Sequence, residues 1–173
     1  MNKIVLLGIN SKFVHTNIAI RYIKKYVENN SGFKLNILEK TINNHIEEII
    51  SEIYREKPEI LILSVYIWNA EYAYKFIKEI KKILPNLKLI LGGPEVSYNA
   101  RELMEKYKEI DYIISGEGEK TTLEFLTKDI KDVKGIYYRN NQEILFNGER
   151  ELICQLDEIP FPYEESEFYE KGK

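Results

Sequence analysis

Cysteine occurs once in this chain of 173 residues, at Cys154. A single thiol excludes an internal disulfide, and it excludes a thiolate cluster for zinc or iron–sulfur. A basic excess is also missing: 25 Lys and Arg stand against 28 Asp and Glu, a formal net charge of −3. Phosphate backbones are bound through surplus positive charge, so no nucleic-acid partner is expected. Long apolar runs are absent too. The opening MNKIVLLGIN holds six consecutive apolar-type positions before Asn10, too few for a signal peptide or a membrane span. No membrane partner is expected, and the expected compartment is the cytoplasm. What remains is 44% hydrophobic and 31% charged, the composition of a folded chain about one domain in size. Lys and Glu alternate along helix-like stretches, as on solvated faces with i,i+4 pairs.

Strand-like runs and helical periods alternate along the chain. Apolar runs at 4–7, 35–38, 60–63, 87–91 and 112–114 read as five strands. Helical spacing follows each: Ala19, Tyr22, Ile23, Tyr26 and Val27 within about 16–28; Ile46, Ile49, Ile50 and Ile53, ending before Pro58; Ala70 to Ile80; Ala100 to Tyr107; and about 119–128. Such alternation predicts a parallel sheet covered on both faces, and the runs at 4–7 and 60–63 are apolar at consecutive positions, as strands buried on both sides must be. The predicted fold is a flavodoxin-like (Rossmann-like), doubly wound α/β sheet of five parallel strands in the order 2-1-3-4-5. GIYYRNNQEILF at 135–146 predicts a carboxyl-terminal β-hairpin around Asn140, Asn141 and Gln142. The expected division is an α/β domain over 1–130, a hairpin extension over 131–150 and an acidic, proline-punctuated linker or tail over 151–173.

In sheets of this kind ligands bind beyond the carboxyl ends of the strands. The positions to inspect are therefore Gly8 to Ser11 and on to His15, Ser64 to Tyr66, Gly92 to Glu95, and Ser115 to Glu119. Several occupants of the fold are excluded there. Asn10 and Ser64 stand where a phosphoryl-accepting receiver needs acids. Gly8 alone does not make the G-x-G-x-x-G of a dinucleotide site, and no Walker A loop is present. Ser11 and Thr16 leave a flavodoxin-like phosphate loop, and with it a flavin electron carrier, as an alternative.

LILGGPEVS at 89–97 raises a sharper question, because a tight turn needs one glycine and here there are two. Ser64 lies 28 positions before Gly92. That pairing resembles the cobalamin-binding domain, in which D-x-H-x-x-G, a serine after the third strand and Gly-Gly after the fourth surround the nucleotide arm of the cofactor. The resemblance implies that Ser64 bonds to that arm, while Gly92 and Gly93 leave bare main chain against it. Taken singly, Gly-Gly is also an ordinary turn and Ser64 an ordinary helix cap. The first motif departs from the family: His15 falls near the histidine, but Phe13 replaces the aspartate and Ile18 the glycine. A ligating imidazole needs an acceptor to fix its tautomer, so His15 reads as a surface or capping residue rather than a cobalt ligand. Asn10 and Ser11 remain candidate cofactor contacts, and Val65, Tyr66, Ile67 and Trp68 a candidate floor under the corrin, or simply packing at a helix entrance.

ILGGPEVS, then DYIISGEGEKTTLEFL (111–126), then KGIYYRNN and LDEIPFPY resemble, in that order, the N-terminal half of cobalamin-dependent radical S-adenosylmethionine enzymes. In those proteins the segments lead into a barrel that holds a 4Fe-4S cluster through C-x-x-x-C-x-x-C. The resemblance implies cobalamin as cofactor, with Pro94, Glu95, Gly116, Glu117, Gly118 and Glu119 added to its contacts. It implies that Glu117 and Glu119 accept hydrogen bonds from corrin amides and that the barrel of the same polypeptide is the partner. S-adenosylmethionine and the cluster would belong to a longer enzyme, a methyltransferase or a relative, since one cysteine cannot hold the cluster. The Gly-Glu-Gly-Glu turn has a local account as well: sharp turning at glycine, and acids at a helix N-terminus. A domain that keeps this fold as a scaffold without cofactor is the competing expectation.

Overall fold

Residues 3–12, 16–151 and 160–163 are described by the computed structural model. Strand β1 (Ile4–Asn10) is buried at all seven positions. It lies between β2 (Leu35–Thr41) and β3 (Ile60–Ser64), parallel to both, with Gly8 opposite Ser64. β4 (Lys88–Gly92) and β5 (Tyr112–Ile114) continue the parallel sheet, with Ser64 opposite Gly92. β6 (Ile136–Asn140) and β7 (Glu143–Phe146) then add antiparallel, giving the order β2-β1-β3-β4-β5-β6-β7. The flavodoxin-like order and the hairpin are thus both present. The hairpin is not a satellite: Ile114 pairs with Ile136, so among the described residues one sheet has seven strands.

The two-residue period of the strands divides the core. Val5, Leu7, Leu61, Leu63, Leu89 and Leu91 face one side, against α2 (Ile46–Glu56), α3 (Ala70–Ile83) and α5 (Ala100–Lys106). Ile4, Leu6, Ile60, Ile62, Ile90 and Ile114 face the other, against α1 (Ile18–Asn30) and α6 (Gly118–Thr127). The sequence pattern ended β1 at Leu7, but pairing runs three residues further because Ile9 continues the buried alternation. The helix expected over Ala100 to Tyr107 is α5, and a four-residue turn of helix that the pattern did not indicate, α4 (Pro94–Ser97), precedes it. Among the described residues no helix is long and apolar enough to cross a membrane.

Candidate cofactor-binding cleft

Three parallel strands, β3, β4 and β5, end side by side, and a cleft of about 740 Å³ opens there between α1 and α6. The volume falls within the range of small-molecule sites, about 300–1,000 Å³. Its base is apolar, made by Ile20 and Ile23 of α1 and by Ile62 and Ile114 of the sheet. Its polar lining includes the buried Ser64 and the acids Glu117 and Glu119.

Ser64 is the last residue of β3 and is 6% exposed. It does not cap the following helix. Its Oγ accepts a 2.5 Å hydrogen bond from Asn17 Nδ2, and no described acceptor takes the hydroxyl proton. The donor is itself fixed. Asn17 caps α1 through a long bond from the Ile20 N–H, at 3.4 Å, and its own N–H donates to Glu39 Oε1 at 2.5 Å. Helix α3 is entered through Asn69 instead, which is fully buried. Its Nδ2 donates to the Ile9 and Ser64 carbonyls and its Oδ1 accepts the Tyr66 N–H.

The paired glycines separate into two roles. Gly93 has φ +109°, and a Cβ there would lie 2.4 Å from the Val65 carbonyl oxygen. Its lack of a side chain is therefore required by the fold, where the Val65 N–H donates to the Gly92 carbonyl at 2.7 Å. Gly92 has no such constraint. A Cβ at that position would meet nothing nearer than Ile114 Cβ at 3.9 Å, on the face that lines the cleft. Of the two, only Gly92 is bare without an internal steric reason.

The cleft gathers nine of the residues expected from sequence: Ser64 and Tyr66 after β3, Gly92, Gly93 and Pro94 after β4, and Gly116 through Glu119 after β5. Burial, and then the neighbouring Glu117, push the Glu119 carboxyl above the ordinary carboxylate range. Burial also raises the Tyr66 phenol. Six candidates lie outside the lining. Asn10 is buried at the end of β1, with its Nδ2 3.4 Å from Glu39 Oε1, and Ser11 follows it. Val65 is fully buried beneath Gly93, and Glu95 sits in α4. Ile67 is 79% and Trp68 52% exposed, and the Trp68 ring stacks on Tyr66 with centroids 4.4 Å apart. His15 and Phe13 fall outside the described residues.

Sequence reading missed Asn17, Ile20, Ile23 and Tyr98, all at or beside the cleft. Asn17 carried a usable signal, an asparagine immediately before an apolar-periodic run. Tyr98, which is 94% exposed, carried none.

The sequence profile of the B12 binding domain matches residues 4–126. The chain belongs to the B12-binding domain family. Over 113 residues it is 30% identical to the cobalamin-dependent radical SAM methyltransferase TokK of Streptomyces tokunonensis, covering 62% of this chain and 17% of that protein. Over 120 residues it is 29% identical to the uncharacterized methyltransferase PH0819 of Pyrococcus horikoshii, covering 66% and 26%. This B12-binding domain thus spans roughly a sixth to a quarter of the length of those two relatives and is homologous to part of radical SAM methyltransferases. The cobalamin-dependent S-adenosylmethionine radical enzyme OxsB, solved with aqua-cobalamin and S-adenosylmethionine bound, superposes with a TM-score of 0.77 over 94% of this chain and 24% of its own, at 20% identity. The radical S-adenosylmethionine methyltransferase TsrM from Kitasatospora setae gives 0.71 over 84% and 30%, also at 20% identity. At that identity the likeness establishes the fold.

Proposed function

We propose that this B12-binding domain holds cobalamin, with the nucleotide arm in the cleft between α1 and α6, and serves a radical S-adenosylmethionine enzyme of the methyltransferase kind. The observation that carries the reading is the pairing of Ser64 with Gly92 across β3 and β4: a hydroxyl whose proton no described residue accepts, opposite main chain that has no internal reason to be bare. The residues fit the group. The apolar base formed by Ile20, Ile23, Ile62 and Ile114 suits a flat aromatic base, and Ser64 can donate to a polar atom of the arm. Glu117 and Glu119 offer acceptors to amide side chains at the rim. Ile67, Trp68 and Tyr98 supply exposed apolar surface around the mouth for the corrin. When bound, cobalamin supplies a cobalt centre able to carry a methyl group between donor and acceptor. The work of this chain is to position it.

In this reading the hairpin and the 151–173 segment lead toward a barrel of the same polypeptide, where S-adenosylmethionine and a 4Fe-4S cluster would be held. Anaerobic mixing with hydroxocobalamin, followed by gel filtration and visible spectroscopy, tests it. Corrin absorbance should co-elute with the protein, and Ser64→Ala should weaken retention roughly five-fold, as for one lost hydrogen bond. Protein that elutes colourless contradicts cofactor binding and favours a scaffold role.

A further inference from the structure

The segment Pro160 to Tyr163 belongs to the stretch expected to lead away from the domain, yet it lies against α1. Pro162 is buried. The Tyr163 hydroxyl is 2.9 Å from Thr16 Oγ1, a hydrogen bond that spans 147 positions of sequence. The Arg21 guanidinium carbon lies 5.3 Å from the centroid of the Tyr163 ring, within cation–π range. Arg21 in turn donates to Glu39 Oε2 at 2.8 Å, and Glu39 Oε1 receives the Asn17 N–H. Asn17 orients Ser64. Arg150, which lines the cleft, is bonded to α6: its Nε donates to Thr121 Oγ1 at 2.9 Å and its guanidinium pairs with Glu124. Described residues of the carboxyl-terminal part thus hold both helices that contribute to the cleft, and the tie to α1 at Arg21 is two side chains, Glu39 and Asn17, away from the serine hydroxyl.

We infer that Tyr163 is a positioning residue of the cleft: by holding Thr16 and Arg21 it fixes the entrance of α1, and with it the Asn17 amide that aims the Ser64 hydroxyl. This rests on the cobalamin reading. It adds that the carboxyl-terminal segment completes the site rather than merely leaving it. The α1 entrance is the wall that depends on such help. Its own cap bond, at 3.4 Å, is long.

The test uses the full 173-residue chain with Tyr163→Ala, Tyr163→Phe and Thr16→Val, read in two ways. Without corrinoid, amide hydrogen exchange at Asn17 and Ile20 should speed up about ten-fold in Tyr163→Ala, with β3 and β4 unchanged and the thermal midpoint held. With hydroxocobalamin, the dissociation constant should rise about five-fold in Tyr163→Phe and in Thr16→Val, and no further in their double variant, because both remove the same bond. Unchanged exchange in Tyr163→Ala overturns the proposal, as does faster exchange with unchanged affinity. A wild-type chain that retains no corrinoid overturns the cobalamin reading, and the positioning role falls with it. A binding wild type with indifferent variants overturns the positioning role alone.

Discussion

Asn17 is the residue on which the site's internal order depends most, because its buried side chain joins the start of α1 to the end of β3 while its own backbone N–H donates to Glu39 of β2. Replacing it with leucine keeps the backbone bond to Glu39 but removes the donor to the buried Ser64 Oγ and the acceptor for the Ile20 N–H. Asn17→Leu should therefore lower unfolding free energy by about 1–3 kcal/mol in urea titrations; an unchanged midpoint contradicts the network. Glu119 gives a prediction of opposite sign. Its carboxyl is held above the ordinary value, first by burial and then by Glu117, so the folded state binds the proton more tightly than the unfolded chain. Stability from this group is complete below the unfolded value and is lost as pH rises through the folded one. Glu119→Gln should make the protein more stable than wild type at pH 7, with the difference closing below about pH 4. Thermal melts across pH check this, and a pH-independent difference would count against it.

At the scale of elements, the legible features were those set by side-chain period. Consecutive apolar positions in β1 and β3 marked strands buried on both faces, and both are. Strand ends were harder to read, because pairing, not composition, decides them: Gly8, Ile9 and Asn10 look like a turn in sequence, yet they pair with Glu39, Lys40 and Thr41. The helical turn α4 was not legible either, since its four residues, Pro94 to Ser97, are too few to show a period. The hairpin was legible as a hairpin, with Asn141 in the left-handed region at φ +56°, but its docking was not. Ile136 is fully buried in the α1–α6 core and paired with β5. Ile136→Ala should consequently cost about 2–4 kcal/mol and shift a single unfolding transition of the whole domain. A separate early transition of the hairpin would contradict one continuous sheet.

For the molecule as a whole, sequence order carried more information than any single motif. Ser64 and Gly92 were recognisable because a parallel sheet brings successive strand ends together, so 28 intervening positions collapse to neighbouring strands. The division of labour within Gly92 and Gly93 could not be read, since a steric demand from the Val65 carbonyl exists only once β3 and β4 are in register. That division now selects the decisive variant. A substitution at Gly93 tests the fold, whereas one at Gly92 tests the cleft. The most direct measurement is an equilibrium titration with hydroxocobalamin of the wild-type chain and Gly92→Trp, each shown by thermal melting to be equally folded. Saturable binding by the wild type, abolished in Gly92→Trp, is the predicted result; equal binding by both, or none by either, contradicts a cofactor arm seated on bare main chain at the end of β4.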